Sequence, residues 1–290
     1  MSDDQRRSRM MQAHSRIQRR VSVLGSFTLT ADGATVPLGV DSRRLVAYLA
    51  VHPRPQERTS LAADLWPGVP TDAAVRLLAD AATAVDVPEL FAEEDDESGP
   101  LALAADVEVD LADALGLVRA LPDIPTSHDP DISLLSADIL PGWTAPWIAV
   151  ERERFRQLRL HALEEHSLRL TSAGRYADAV AIAKSAAQTA PSRESARRAL
   201  IEAYLGQGDI AAAVAEFDDY QELLRSSVGG PASTGLEALF PPSPVWPVLR
   251  ARRTMPRSAV QLPGLRSVRG ATPSTRRLVA GGSVPGPSPR

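Results

Sequence analysis

Two stretches in the second half of the chain carry the same residue pattern at a fixed distance. Each copy places a turn residue ahead of a large side chain and then small residues at helical spacing. The matched pairs, 34 residues apart, are Gly174 and Gly208, Tyr176 and Ile210, Ala179 and Ala213, Ala183 and Phe217, and Ala186 and Tyr220. Small residues at such places let two antiparallel helices approach closely. The pattern therefore predicts stacked pairs of helices.

An offset of 34 residues is the period of tetratricopeptide helix pairs. Pro191 stands where such a repeat ends its second helix, whereas Arg225 stands at the same place in the second copy, so the repeat is imperfect or terminal. The same residues are also compatible with two alanine-rich helical hairpins that bind no ligand. Helical patterns run from Val109 onward, and we expect a tetratricopeptide-like all-α domain over residues 107–240.

The first half of the chain has a different pattern. Residues 21–39 alternate apolar and polar side chains on either side of Ala31-Asp32-Gly33, which is typical of a β-hairpin. Three short helical patterns follow, and the third is TDAAVRLLADAATAVD at residues 71–86. After Pro88, two strand-like pieces flank an acidic turn. The order of strands, three helices and a second hairpin predicts an α+β domain over residues 21–106.

Positive charge is concentrated at the two ends of the chain, although the net charge is −4. Residues 1–20 hold six arginines and two acidic residues, and residues 246–290 hold nine arginines and none. Residues 21–99 hold five arginines and thirteen acidic residues. We expect a basic disordered arm at 1–20 and a disordered, basic tail rich in Pro, Gly and Arg at 241–290. Lys184 is the only lysine; arginine suits phosphate contacts, but a GC-rich coding bias has the same effect.

Composition also limits the function classes. The chain has no cysteine and five scattered histidines, so no metal site or cofactor is expected. No apolar run is long enough for a membrane span and the N-terminus resembles no signal peptide, so we expect a cytoplasmic protein with no membrane partner.

Catalysis has little support in the sequence. Acidic residues alternate with arginines along residues 151–169, a pattern that indicates a salt-bridged solvent-exposed face rather than acid-base chemistry. His161 and His166 are five residues apart, an awkward spacing for two ligands on one helical face. We expect no enzymatic activity.

The segment from Leu134 to Phe240 contains a Leu-Pro-Gly-Trp at 140–143, a second tryptophan at Trp147, and Glu-Arg-Glu-Arg at 151–154 ahead of the repeats. In these features it resembles the bacterial transcriptional activator domain of the Streptomyces antibiotic regulatory protein family. The front half, with VSVLGSF, VPLG and LAADLWPGVP in the expected order, resembles that family's winged helix. No P-loop follows, so the chain looks like the short form of the family, without an ATPase domain.

The resemblance implies a dimeric activator that binds direct repeats in DNA upstream of biosynthetic genes. The third helix of the winged helix would lie in the major groove, and the hairpin wing near the minor groove. Self-association or contact with the transcription machinery is expected through the helical domain. Matched onto this chain, the DNA-binding candidates are Arg43, Arg44, Arg76 and Thr83.

The charge of the third helix opposes specific DNA binding. If its apolar residues face the core, its outward face shows Asp72, Arg76, Asp80 and Thr83, and the wing carries an acidic run at 93–97. A DNA-reading helix needs cations and amides on that face. Arg76 can instead pair with the two aspartates four residues away on either side. Two hypotheses stay open: a DNA-binding regulator, and a degenerate relative that acts as a protein-interaction module.

Overall fold

The computed structural model describes residues 17–92, 99–227 and 234–240. The described part begins with a four-stranded sheet of β1 (Arg19–Ser22), β2 (Thr28–Ala31), β3 (Ala34–Thr35) and β4 (Glu108–Val109), in the order β3-β2-β1-β4. β4 runs parallel to β1, and the other neighbouring pairs are antiparallel. Asp32 and Gly33 turn β2 into β3 with φ values of 49° and 78°. The left-handed backbone at both positions is that of a tight hairpin turn.

Three helices follow the hairpin: α1 (Val40–Val51), α2 (Arg58–Leu65) and α3 (Thr71–Thr83). They enclose a core formed mainly by Leu45, Leu49, Leu61, Leu65 and Leu78, all buried. Two extended pieces complete the unit, because Phe91 pairs with Leu103 in an antiparallel bridge. This is the expected winged helix, with the wing's flanking strands reduced to single bridges.

The remaining described elements are helical. They are α4 (Asp110–Ala120), α5 (Pro146–Ser172), α6 (Tyr176–Thr189), α7 (Glu194–Gln207), α8 (Ile210–Ser227) and the short α9 (Thr234–Glu237). α5, α6, α7 and α8 pack in sequence, each against the next. The fold is therefore an α+β winged helix followed by an all-α domain of tetratricopeptide-like helix pairs, as the sequence predicts. None of these described helices is both long and apolar enough to span a bilayer.

The residues of the 34-residue repeat lie at the helix contacts. Gly174 and Gly208 have φ values of 78° and 82° and follow the ends of α5 and α7. Ala179, Ala183, Ala213 and Phe217 are buried between helices. Pro191 lies in the turn after α6, where its carbonyl oxygen accepts a hydrogen bond from Arg197 Nε at 3.1 Å. Tyr176 is half-buried and its counterpart Ile210 is exposed, so the described residues do not bury this position in the second copy.

Gly206 marks a close approach in the helix stack. A β-carbon at this residue would lie 2.6 Å from Cε1 of Tyr176 and 3.3 Å from Cγ2 of Thr171. We expect Gly206→Ala to lower the free energy of unfolding by about 1–3 kcal/mol because the tyrosine ring must move. Gly116, in the middle of α4, would have no neighbour within 4 Å of an added β-carbon. Gly116→Ala should therefore raise stability by about 0.5–1 kcal/mol. Urea unfolding of both variants checks this, and equal effects would contradict it.

Arginines on α5 hold the segment that precedes this helix. Arg152 donates to the carbonyl oxygens of Ile139, Leu140 and Trp143 at 2.8, 2.7 and 3.0 Å. Leu140 has a φ of 42°, so a residue other than glycine is held in the left-handed region. The arginine thus fixes the Leu-Pro-Gly-Trp loop by its backbone, which gives a structural role to the Glu-Arg-Glu-Arg motif.

A cluster of aromatic rings joins the winged helix to the helical domain. Trp147 on α5 lies 5.0 Å from Tyr48 and 6.0 Å from His52, measured between ring centroids. Trp143 lies 6.4 Å from Trp147 and 6.2 Å from Phe27. Both tryptophans therefore pack at the junction, where they link α1 and the sheet to the start of α5.

The structure corrects the expected limit of the N-terminal arm. β1 begins at Arg19, two residues before the boundary expected at 20 and 21. Arg19 is buried, and Arg20 contacts Glu108 at 3.0 Å and Asp113 at 3.2 Å. These two arginines belong to the folded domain because strand pairing and ion pairs hold them there. Residues 1–16 of the arm and the tail expected at 241–290 lie outside the described residues.

Candidate nucleic-acid interface

α3 is positioned by the turn before it and by its apolar face. Gly68 has a φ of 87°, and the carbonyl oxygen of Pro70 accepts hydrogen bonds from the first turn of the helix. Ala74, Leu78 and Ala81 are buried against α1 and α2. The opposite side of α3 is consequently left at the surface of the domain.

The outward face of α3 has the composition expected from the sequence. Asp72, Arg76, Asp80 and Thr83 are all exposed. Among the described residues, however, no carboxylate lies within ion-pair distance of Arg76. The pairing of Arg76 with Asp72 and Asp80 that the sequence allowed is therefore not formed. The guanidinium group remains available to an external partner.

The other three candidates differ in availability. Arg43, at the start of α1, is exposed, and its side chain bonds to no other described residue. Arg44 is half-buried and donates to the carbonyl oxygen of Leu65 at the end of α2. Thr83 donates its hydroxyl to the carbonyl oxygen of Ala79 at 2.9 Å, which leaves its oxygen free to accept. The structure thus leaves Arg43 and Arg76 accessible and gives Arg44 an internal partner.

The wing is attached to the body of the domain by a buried cation. Arg19 is 2% exposed, and it donates to the carbonyl oxygen of Pro88 at 2.8 Å and to Asp106 at 2.6 Å. A further hydrogen bond reaches the carbonyl oxygen of Glu89, which has a φ of 53°. Gln56 pairs with Leu101 in a second bridge, so both sides of the wing are anchored. The acidic run expected at 93–97 lies outside the described residues.

Three of the four acidic residues of α5 are paired with arginines. Glu153 accepts hydrogen bonds from Arg156 at 2.7 and 2.8 Å, and with a further bond from Gln157 these lower the pKa of Glu153 to about 2. Glu164 is buried and bonds to Arg193 at 2.6 Å, so this carboxylate is not on the solvent-exposed face predicted for it. His161 is exposed and His166 is buried. Among residues 17–92, 99–227 and 234–240, no group of acidic or histidine side chains could hold a metal ion.

Sequence reasoning missed the structural roles of the buried Arg19 and Arg159 and of the half-buried Arg152. Arg152 and Arg159 are seven residues apart on α5, a spacing that places them on one face of the helix. That spacing was the available signal for a shared structural role. Arg19 carried no comparable signal because it stands within a run of N-terminal basic residues.

The described residues form an α+β domain that exposes its third helix, a paired wing and a stack of helix pairs. These features together define a winged-helix protein with a second, tetratricopeptide-like domain. Residues 132–241 match the family model of the bacterial transcriptional activator domain. This segment is therefore similar to a bacterial transcriptional activator domain, and the resemblance to the Streptomyces antibiotic regulatory protein family is confirmed.

Two further proteins are similar to this chain, one in sequence and one in fold alone. The chain is 28% identical over 236 residues to the regulatory protein AfsR of Streptomyces coelicolor. The match covers 76% of this chain and 24% of AfsR, so the chain spans about a quarter of that relative. A solved structure of Mycobacterium tuberculosis EmbR, in complex with a low affinity phosphopeptide, has a similar fold. Its TM-score is 0.54 at 20% identity, with 82% of this chain and 69% of that chain covered.

Proposed function

We propose that this protein regulates transcription by binding DNA through α3 of its winged helix, with activation as the outcome. The observation that carries the proposal is the exposed guanidinium of Arg76, which no described carboxylate neutralises. An arginine in this state can form two hydrogen bonds to a guanine edge or contact a phosphate. The match to a bacterial transcriptional activator domain supports the same assignment.

Arg43 is the second expected DNA contact. It lies at the start of α1 with an exposed side chain. Contacts from a helix other than the reading helix usually reach phosphates, which fix the orientation of the domain but read no sequence. Arg44 takes an indirect part, because its hydrogen bond to Leu65 holds α1 against the end of α2. Thr83 remains a candidate because its hydroxyl oxygen is exposed.

The helical domain is the proposed site of self-association or of contact with the transcription machinery. Within the described residues, the last helices of the stack are α8 and α9, where Phe217 contacts Phe240 with ring centroids 5.3 Å apart and Leu236 is buried. The exposed Ile210 and the half-buried Leu224 lie on α8, the last long helix of the stack. Apolar side chains at the end of a helix stack favour contact with another protein chain.

A second candidate function is a protein-interaction module without specific DNA binding. It is favoured by the exposed Asp72 and Asp80 on the same face of α3 as Arg76. The two carboxylates repel the phosphate backbone. Each also stands at a position where a cationic side chain would contact a phosphate and release counterions. In this alternative, α3 preserves the fold of the domain while the helical repeats bind a partner protein.

A DNA titration separates the two functions. The full chain is added to labelled DNA from its own upstream region and, in parallel, to an unrelated duplex of the same length, at low and moderate salt. DNA binding through α3 predicts a preference for the upstream DNA of about 1,000-fold or more that persists at moderate salt. Equal, weak binding to both duplexes that disappears with salt would support the interaction module instead.

A further inference from the structure

A cavity of about 500 Å³ lies where the winged helix meets the helical domain. Its walls come mainly from the end of α1 and the segment after it, from α4 and from α5. The apolar side chains in these walls are Val51, Leu111, Leu115, Ile139, Phe155 and Leu158. Sites for small molecules are commonly clefts of about 300–1,000 Å³ at domain interfaces, with apolar walls and a few polar groups. The size, position and walls of this cavity match that description.

Among the described residues, three arginines and one carboxylate line this cavity. Arg54 comes from the segment after α1, Arg119 from the last turn of α4, and Arg154 from α5. The carboxylate is that of Glu151, and it lies 3.7 Å from Arg154. No described carboxylate lies within ion-pair distance of Arg54 or Arg119. Two cations of the cavity therefore have no counter-charge in the described part of the chain.

Both of these arginines keep nitrogen atoms available to a ligand. Arg119 donates Nε to the carbonyl oxygen of Leu115 at 3.2 Å, and its two terminal nitrogens bond to no described residue. The side chain of Arg54 has no described partner either, because Gln56 bonds only to its backbone carbonyl oxygen. Both side chains are exposed, so a molecule from solvent can reach them. Guanidinium groups bind carboxylates and phosphates through two parallel hydrogen bonds.

The positive charge of the cavity contrasts with the rest of the molecule. The described residues include 29 acidic side chains and 19 arginine or lysine side chains, so this part of the chain carries a net negative charge. An anion is therefore repelled by the molecule as a whole and attracted at this cavity. A cleft lined by one sign of charge between low-dielectric walls concentrates the electrostatic field, which favours an anionic ligand.

We propose that this cavity binds a small organic anion whose carboxylate or phosphate group bonds to Arg54 and Arg119. The apolar part of the ligand packs against the apolar walls, which favour an organic anion over an inorganic one because hydrocarbon surface is removed from water. Arg154 is not required for binding, because Glu151 already lies beside it.

The position of the site connects the two domains. The segment after α1 carries both Arg54 and Gln56, and the backbone of Gln56 pairs with Leu101 of the wing through hydrogen bonds of 2.9 and 2.8 Å. Arg119 belongs to α4 in the helical domain. An anion bonded to both arginines would join the segment that holds the wing to the helical domain. Regulation of DNA binding by this anion rests on the proposed function, whereas the binding site itself does not.

The test uses three probes with the same ring system: 2-naphthoate, 2-naphthyl phosphate and the uncharged 2-naphthalenemethanol. Each is titrated into the full chain by isothermal titration calorimetry in about 0.15 M salt, which screens weak contacts between exposed charges. We expect at least one of the two anions to saturate with a Kd of about 1 mM or below, which is reasonable for ligands of this size. The alcohol should bind at least about tenfold more weakly because it forms no charge-assisted hydrogen bonds.

Acetate and inorganic phosphate test the contribution of the apolar walls. They carry the same charged groups without the ring, and as competitors they should displace the bound naphthyl compound only at about tenfold higher concentration or more. Displacement at equal concentration would show that the walls play no part and would overturn the proposal of an organic ligand. The better of the two naphthyl anions shows whether the site takes carboxylates or phosphates.

Arg54→Gln and Arg119→Gln each remove one charge from an exposed side chain. Each should weaken binding of the anions about tenfold, the loss of one charge-assisted contact, and leave binding of the alcohol unchanged. Arg225→Gln is the matched control, because Arg225 is 65% exposed in the last turn of α8, as Arg119 is in the last turn of α4. Arg225 does not line the cavity, so this variant should bind every probe as the wild type does.

Circular dichroism reports whether the variants fold, and if one cavity variant does not fold, the other decides the question. The proposal is overturned if neither anion saturates, if the alcohol binds as tightly as the anions, or if a folded cavity variant binds the anions as the wild type does. An equal loss in Arg225→Gln would also contradict it, because the attraction would then be unspecific. DNA is absent from these titrations, so their failure would leave the proposed function standing.

Discussion

Replacing Arg159 by methionine is expected to lower the free energy of unfolding by about 2–4 kcal/mol. The side chain of Arg159 is 2% exposed, and its guanidinium donates to Asp138 and to the carbonyl oxygens of Ala137 and Leu135. Methionine fills a similar space but offers no donor, so buried carbonyl oxygens lose their partner. The loss of stability should not exceed this range because Asp138 is partly exposed, so water can solvate its carboxylate once the arginine is gone. Urea unfolding measures the change.

The matched control for Arg159→Met is Arg154→Met on the same helix. Arg154 is 72% exposed, and its only described ion pair, with Glu151, spans 3.7 Å. Exposed substitutions of this kind usually change stability by less than about 0.5 kcal/mol. Equal losses in the two variants would show that the hydrogen bonds of Arg159 do not stabilise the fold.

Trp147→Ala is expected to lower the free energy of unfolding by about 2–4 kcal/mol and to weaken the link between the two domains. Its indole packs on Tyr48 and His52 of α1 from the start of α5. Without the ring, the winged helix should unfold at a lower temperature than the helical domain. Calorimetry should then resolve two transitions, whereas we expect a single transition for the wild type.

Trp147→Phe provides the control for this prediction. It keeps a ring in the cluster and removes the indole N–H, which is buried without a hydrogen-bond partner among the described residues. We expect a loss of about 1 kcal/mol and a single transition. If Trp147→Ala leaves both stability and the number of transitions unchanged, the aromatic cluster is not what couples the domains.

The elements of this fold follow from short-range patterns in the sequence. Asp32-Gly33 between two alternating stretches indicates the first hairpin, and the apolar spacing of α3 predicts which of its faces is buried. The 34-residue offset predicts the pairing of α6 with its neighbours. Each of these features depends on local backbone preference or on helical period, which a sequence displays directly.

Long-range contacts of charged side chains did not follow from such patterns. Arg19 looks like part of a basic arm, yet it is buried against residues about 70 and 87 positions further along the chain. Arg44 is a candidate DNA contact by its position, and its hydrogen bond to the carbonyl oxygen of Leu65 at the end of α2 had no signal in the sequence. Whether an arginine faces solvent or a distant carbonyl group depends on tertiary packing, which helical spacing alone does not determine.

The same limit applies to the candidate interface. The outward face of α3 was predictable residue by residue. That no described carboxylate pairs with Arg76 was not predictable, because such pairs depend on side-chain rotamers. Likewise, the spacing of His161 and His166 argues only against a shared metal. The burial of His166 depends on how α4 packs against α5. A long connection separates these two helices, so the helical period of either one does not predict how they pack.

The central claim is that α3 contacts DNA through Arg76, and a comparison of Arg76→Ala with Arg154→Ala tests it most directly. Both arginines are exposed, but only Arg76 lies on α3. Fluorescence anisotropy with the upstream DNA at several salt concentrations gives the affinity and its salt dependence. We expect Arg76→Ala to weaken binding by about 1–3 kcal/mol if it contacts a base, or to reduce the salt slope by about 1 if it contacts a phosphate. Arg154→Ala should bind as the wild type does, and an Arg76→Ala variant that binds equally well would contradict the account.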